Sequence, residues 1–249
     1  MAQVLITGGS SGIGLELAKR FAADGYDMIL TASNEKKLLT AKKTIEDEYH
    51  VPVSTYVFDL SKQGEAEKLY EAVIEDGHVV DVLVNNAGIG TIGASEEIPL
   101  EKDEALMVLN MMAPVVLTKL FLKDMYAHKS GRILNVCSTG AYQPGPYTAT
   151  YYASKSFLLS YTKAVRYEAK PHGVSVCALC PGTTATSFFE RADSKTPSGA
   201  MSAEQVAAYA YKQFMRGKAE IIPGLVFRLM KLCPVPVKTT VIAFVKGKK

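Results

Sequence analysis

Apolar residues recur along this chain in two alternating rhythms. Short runs rich in β-branched residues, Val4–Thr7, Met28–Thr31, Val53–Phe58, Val82–Val84, Ile133–Val136, Val174–Leu179 and Ala219–Ile222, alternate with longer stretches in which apolar positions return every three or four residues. The runs are too short for helices and apolar on both faces, as strands buried in a parallel sheet are. The stretches between them are long enough for crossover helices. The pattern predicts one α/β domain over residues 1–249: a Rossmann-type doubly wound parallel sheet of about seven strands with helices on both faces. Residues 183–203 have the weakest periodicity and are expected to form a substrate loop. Residues 225–249 form an apolar and basic tail.

Composition narrows this picture. A chain of 249 residues, 48% hydrophobic and 21% charged, buries a sufficient core without staples. Its four cysteines, Cys137, Cys177, Cys180 and Cys233, are too few for a disulfide scaffold and suit a reducing, cytoplasmic setting. Cys177 and Cys180 form a CxxC inside the strand-like run VSVCALC, without a second pair, and read as core; no metal is expected. A net charge of +3 does not point to nucleic acid, and six of the 28 Lys and Arg but none of the 25 acids fall in 225–249. That tail either packs over the pocket or on another subunit, which is the preferred reading, or rests on an anionic membrane surface. The N-terminus shows no targeting leader, and no uncharged apolar run reaches the length of a membrane span.

The first strand-like run leads into Gly8-Gly9-Ser10-Ser11-Gly12-Ile13-Gly14 and then into a helical stretch with Ile13, Leu17, Ala18 and Phe21 on one face. Glycines let the backbone turn sharply and approach a pyrophosphate, and a helix N-terminus offers it free N–H groups. Gly8, Ser10, Ser11, Gly12, Ile13 and Gly14 are therefore the candidate phosphate loop, with a plain tight turn as the alternative. At the end of the second run, where an NAD site usually carries an acid, the chain reads Ala32-Ser33-Asn34-Glu35-Lys36-Lys37. Ser33, Asn34 and Lys37 can bond a 2′-phosphate that a carboxylate would repel. NADP is favoured; NAD is the alternative, because no arginine is present and Glu35 is close.

Among thirteen tyrosines only Tyr151 has a lysine four residues later, Lys155. On a helix that spacing puts both side chains on one face, towards the end of the run carrying Ser138. A free phenol with a pKa of about 10 is about 0.1% ionised at pH 7. A nearby ammonium, and the positive charge of an oxidised nicotinamide, favour the phenolate. Tyr151 can then give a proton to a carbonyl oxygen or take one from an alcohol, while the Ser138 hydroxyl holds that oxygen. The bland alternative is an ordinary surface pair.

With these residues the chain resembles the short-chain dehydrogenase/reductase family, of the ordinary single-domain type. The shared motifs are Thr7-Gly8-x-x-x-Gly12-Ile13-Gly14, Asp59-Leu60, Asn85-Asn86-Ala87-Gly88, Asn110, Ser138, Tyr151-x-x-Ser154-Lys155 and Pro181-Gly182-x-x-x-Thr186. The resemblance implies that Asp59 and Leu60 meet the adenine, and that Asn86, Ala87 and Gly88 lie beneath its ribose. It implies that Asn110 holds a water completing a Ser–Tyr–Lys–Asn tetrad, and that Lys155 bonds the nicotinamide ribose. Pro181, Gly182, Thr184 and Thr186 would seat the carboxamide. Homodimers or homotetramers are expected on the same ground. The tail lacks the glycine-rich ending of tetrameric members and is reminiscent of hydroxysteroid and 3-oxoacyl reductases.

The loops after the strands supply Ile92, Tyr142, Pro144, Tyr147, Phe188 and Phe189, so a hydrophobic carbonyl or alcohol is the expected substrate, with no arginine but Arg191 to clamp an anion. The expected function is reversible NADP-dependent reduction of a ketone on a steroid or 3-oxoacyl compound. A non-catalytic nucleotide sensor or scaffold on the same fold is the rival reading. Epimerisation or dehydration is disfavoured, since relatives that do this carry a larger C-terminal substrate domain.

Overall fold

The computed structural model describes residues 1–188 and 199–247. Strands and helices alternate: β1 (Gln3–Thr7), α1 (Gly12–Ala23), β2 (Asp27–Ala32), α2 (Glu35–Tyr49), β3 (Val53–Val57), α3 (Glu65–Glu75), β4 (Val80–Asn85), α4 (Leu100–Met107), α5 (Ala113–His128), β5 (Gly131–Val136), α6 (Ala149–Ala169) and β6 (Val174–Leu179). Then come β7 (Thr184–Ala185), β8 (Met201–Ser202), α7 (Ala203–Met215), β9 (Glu220–Ile221), α8 (Leu225–Leu232) and α9 (Val235–Lys246). Seven strands form one sheet in the order β3-β2-β1-β4-β5-β6-β9, and every pair in it is parallel. The strand order reverses between β1 and β4, and a crevice opens there at the carboxyl ends of the strands.

The apolar runs are buried on both faces, as their continuity predicts. In β1, Val4 and Ile6 pack beneath α1, α2 and α7, while Leu5 points into the opposite layer with Leu117 and Phe121. Cys137, Cys177 and Cys180 are buried free thiols and Cys233 is exposed. Among the described residues no cluster of His, Cys, Asp and Glu gathers as a metal site would.

Two features depart from the sequence pattern. Leu100–His128 is one long helical segment, apolar enough by length and composition (mean hydropathy 1.9) to cross a membrane. Charged residues near its ends hid that length in the sequence. Its apolar side is taken up by the core through Leu106, Leu117, Phe121 and Met125. The tail is two helices, and the weakly periodic segment before α7 contributes the short pair β7–β8, joined Thr184 to Met201.

Phe21 fixes one layer: it is fully buried, with Tyr26, Tyr211 and Phe214 edge-on around it at 4.9–6.3 Å between ring centroids. Replacing it by alanine is expected to cost about 3–5 kcal/mol, read as a lower urea midpoint with an unchanged slope.

Candidate active site

One cleft of about 780 Å³ runs over the strand ends. Its floor at the β1 end is the glycine turn. Gly8 (φ +65°) and Gly12 (φ +56°) take left-handed backbone, which a side chain disfavours. A Cβ on Gly14 would stand 2.4 Å from both Asn86 Nδ2 and the Gly8 carbonyl oxygen, so Gly14 serves helix packing and does not line the cleft. Ser11, the residue before α1, makes no side-chain cap, so no side chain of this residue occupies the helix end. Gly8, Ser10, Ser11, Gly12 and Ile13 line the cleft here.

Thr7 and Asn86 hold this turn against the next strand. Thr7 Oγ1 accepts from the Asn86 and Ala87 N–H groups at 3.0 Å each, and Asn86 Nδ2 donates to the Thr7 and Gly8 carbonyls at 2.9 and 3.2 Å. Thr7 carries no chemistry and was visible in the sequence only as part of a motif. At the far end, Ala32, Ser33, Asn34 and Lys37 line the cleft, whereas Glu35 does not. Asn34 caps α2, its Oδ1 accepting the Lys37 N–H at 2.9 Å. Asp59 and Leu60 form the adjoining wall, and Asp59 Oδ1 accepts from the Ser61 hydroxyl at 2.6 Å. This stretch therefore presents one cation and no carboxylate where a 2′-phosphate would lie, and a carboxylate at Asp59 beyond it.

The middle of the cleft brings together Ser138, Tyr151, Lys155 and Gly88. Ser138 follows β5 and accepts the Gly140 N–H at 3.0 Å. Burial pushes the Tyr151 phenol up to about 12, and a hydrogen bond with Ser138 pulls it back less strongly. Lys155 is buried, lies 5.9 Å from the centre of the Tyr151 ring and donates to the Val136 carbonyl at 2.9 Å. Burial lowers its pKa, opposed in part by the neighbouring Cys137 and Cys180 thiols. In the protein without its dinucleotide the Lys155 ammonium is bonded to the strand, and burial is the largest influence on the phenol.

Asn110 sits in a π-turn, Val108–Met112, closed by the Ala113 N–H on the Val108 carbonyl. Its amide bonds both backbone groups of Ile89, at 2.9 and 3.1 Å, and donates to the Ser154 hydroxyl at 3.1 Å. A Cβ on Gly88 would lie 3.1 Å from Asn110 Oδ1 and 3.3 Å from Lys155 Nζ, a tight fit that would press both groups back by a few tenths of an ångström. Below them a buried polar chain ties the elements together: Asn85 donates to Thr118 and Asn135, and Asn135 donates to Thr162 at 2.9 Å. Pro181, Gly182, Thr184 and Thr186 form the roof over this region.

The remaining end is apolar, and among the described residues Ile92 and Phe188 of the expected substrate set line the cleft. The Phe188 ring lies 5.3 Å from that of Tyr151. Tyr142 turns away, its hydroxyl donating to Glu220 at 2.8 Å, and with Pro144 it borders a separate depression. Tyr147, left-handed at φ +61°, packs against Gly247 instead of lining the cleft. Phe189 and Arg191 lie outside the described residues. The far wall is the tail, as the preferred reading of 225–249 expects, through residues the sequence does not single out: Met230 of α8 with Val241, Ile242, Val245 and Lys246 of α9. Among the described residues the tail's other cations serve as anchors, Arg228 to the Ile222 carbonyl, Lys231 to Glu220 and Lys238 to the Tyr142 carbonyl.

Comparison with known proteins agrees with this geometry. The family model of short chain dehydrogenases matches residues 2–197. The chain is 31% identical over 190 residues to the diacetyl reductase [(S)-acetoin forming] of Staphylococcus epidermidis, covering 76% of this chain and 74% of that one. It is 36% identical over 178 residues to the very-long-chain 3-oxoacyl-CoA reductase of Phaeosphaeria nodorum, covering 69% and 52%. The solved short-chain dehydrogenase from Sphingobium yanoikuyae in complex with NADPH superposes with a TM-score of 0.87 at 28% identity, covering 100% of this chain and 98% of that one. The chain belongs to the short chain dehydrogenase family and is an oxidoreductase of alcohol and ketone groups.

Proposed function

We propose that this chain is an NADP-dependent reductase of a ketone carried on a hydrophobic molecule, such as a steroid or a 3-oxoacyl compound, and that it runs in reverse as an alcohol dehydrogenase. The observation that carries the reading is the meeting of Ser138, Tyr151 and Lys155 at one point of a cleft whose other end is a glycine cradle at a helix N-terminus. A sensor or scaffold has no need of Ser138, Tyr151 and Lys155 at one point.

The roles follow from charge and reach. The glycine turn and the end of α1 bind the pyrophosphate; Ser33, Asn34 and Lys37 bind the 2′-phosphate, which the absence of a lining carboxylate there supports. Asp59 and Leu60 bound the adenine, Asn86 to Gly88 the ribose, and Pro181 to Thr186 the carboxamide. The dinucleotide, when bound, supplies the hydride. Tyr151 donates its proton to the ketone oxygen as negative charge develops on it, and Ser138 holds that oxygen by a hydrogen bond. Lys155 orients Tyr151 and favours its anion once the proton has left. Asn110 holds the Ile89 backbone, and with it the cleft wall beside Lys155. Apolar side chains of Phe188, Ile92, Val241 and Val245 receive the body of the substrate. The name of the very-long-chain 3-oxoacyl-CoA reductase relative supports the acyl option. A homodimer or homotetramer through α4, α5 and α6 is part of the reading, supported by the exposed Met107, Met112 and Phe157 on these elements.

Tyr151→Phe is expected to lower ketone reduction at least about a thousandfold while NADPH binding, followed by fluorescence titration, stays within about twofold. Retention of most of the wild-type rate would remove Tyr151 from the role of acid. Because the free phenol is protonated up to about pH 12, reduction is expected to be nearly flat from pH 6 to 9, whereas alcohol oxidation, which needs the phenolate, rises with pH over the same range. Gly14→Ala is expected to weaken NADPH binding about tenfold or more, because the new methyl group displaces Asn86 and the Gly8 carbonyl.

A further inference from the structure

The C-terminal hairpin α8–α9 is attached to the body in an inverted way. Leu225, Leu229, Leu232, Val237, Phe244 and Val245 are each more than half exposed, and among the described residues of both helices Lys238 alone is buried. Apolar burial therefore contributes little to its position, and polar anchors decide it. The anchoring post on the body is Glu220 of β9 together with Tyr142. The Glu220 side chain is 17% exposed and takes Lys163 of α6 on one oxygen at 2.8 Å. Its other oxygen accepts from Tyr142 at 2.8 Å and from Lys231 of α8. Lys231 also lies 4.8 Å above the Tyr142 ring, and Lys238 of α9 reaches the Tyr142 carbonyl at 3.3 Å. Burial raises the Glu220 pKa, but the hydrogen bonds from Lys163, Lys231 and Tyr142 outweigh it and hold the carboxyl at about 2, so this anchor keeps its charge throughout the neutral range.

The same hairpin carries the apolar wall of the cleft. Val241, Ile242 and Val245 line it, and Phe227 of α8 covers Gly182, where an added Cβ would fall 2.3 Å from the phenylalanine ring. Movement of the hairpin therefore moves the surface against which the substrate body packs, without disturbing Ser138, Tyr151 or Lys155.

We propose that Glu220 is a positioning residue for substrate: with Tyr142 and Lys231 it latches α8–α9 over the apolar end of the cleft and so sets affinity for a ketone bearing a long apolar chain. This rests on the reading above that the cleft takes such a ketone. Glu220 reaches substrate only through the hairpin, so loss of the latch raises KM for large substrates and spares kcat. Lys163 is a built-in control, since it touches the same carboxylate from α6 and holds no part of the hairpin.

The test uses the full chain as wild type, Lys231→Met, Glu220→Gln and Lys163→Met, with NADPH and two ketones differing in chain length alone, ethyl 3-oxobutanoate and ethyl 3-oxodecanoate. Hydrogen exchange of the amides of 225–246 is measured in parallel. Lys231→Met is expected to raise KM for the decanoate about tenfold, to leave kcat and the butanoate KM within about twofold, and to speed hairpin exchange about tenfold. Glu220→Gln, which keeps an acceptor for Tyr142 but loses the charge, should fall between wild type and Lys231→Met, and Lys163→Met should stay within about twofold of wild type throughout. Unchanged hairpin exchange in Lys231→Met overturns the latch, as does an equal effect of Lys163→Met. Failure of the wild type to reduce either ketone counts against the substrate reading instead, and hairpin exchange then still decides the latch.

Discussion

The site depends on a buried ammonium whose only close acceptor among the described contacts is a strand carbonyl. Lys155 on α6 donates to Val136 at the end of β5, and Ser138 stands two residues further along that strand's exit. A cation in so dry a place is costly unless it is hydrogen-bonded, so this contact fixes how far α6 can slide along the sheet. Once α6 is docked there, helical spacing puts Tyr151 one turn earlier, within bonding distance of Ser138. The asparagine–threonine chain beneath, from Asn85 through Asn135 to Thr162, makes the same docking from below. The donors of this chain are all taken up, while the buried Asn85 Oδ1 has no hydrogen-bond partner among the described residues.

The glycine turn obeys a constraint of the opposite kind, one of space. Asn86 fills the room that a side chain at Gly8 or Gly14 would need and bonds the backbone around it. The phosphate cradle and the ribose strand are thereby one rigid piece, although they lie some eighty residues apart in the chain. Packed strands and helices carry the reacting groups, and the far wall of the cleft belongs to the last two helices.

Much of this was legible in the residues. The alternation of β-branched runs with helical stretches gave every long strand within a residue or two, because strands buried on both faces leave a continuous apolar trace that tertiary contacts cannot obscure. Gly8, Gly12, Ser138, Tyr151 and Lys155 were legible because their chemistry and spacing are local. Three things were not. Loop aromatics carry no sign of which way they face, and Tyr142 was assigned to the cleft although its hydroxyl is claimed by a carboxylate 78 residues away. The tail reads as packing over the pocket, but the anchors Arg228, Lys231 and Lys238 are not visible in the sequence, because their partners are backbone carbonyls, a distant acid and a tyrosine hydroxyl. The sequence places Lys155 beside Tyr151 but does not show that its ammonium is bonded to the Val136 carbonyl.

The π-turn at Val108–Met112 has a consequence for how this region can change. One extra residue is accommodated inside a helix that would otherwise run unbroken from Leu100 to His128. Removing a single residue there restores ordinary α-helical bonding and also rotates Asn110 off Ile89 by about a quarter turn. The shorter chain gains regular helix and loses the alignment of its wall, so durability and turnover pull in opposite directions at this turn.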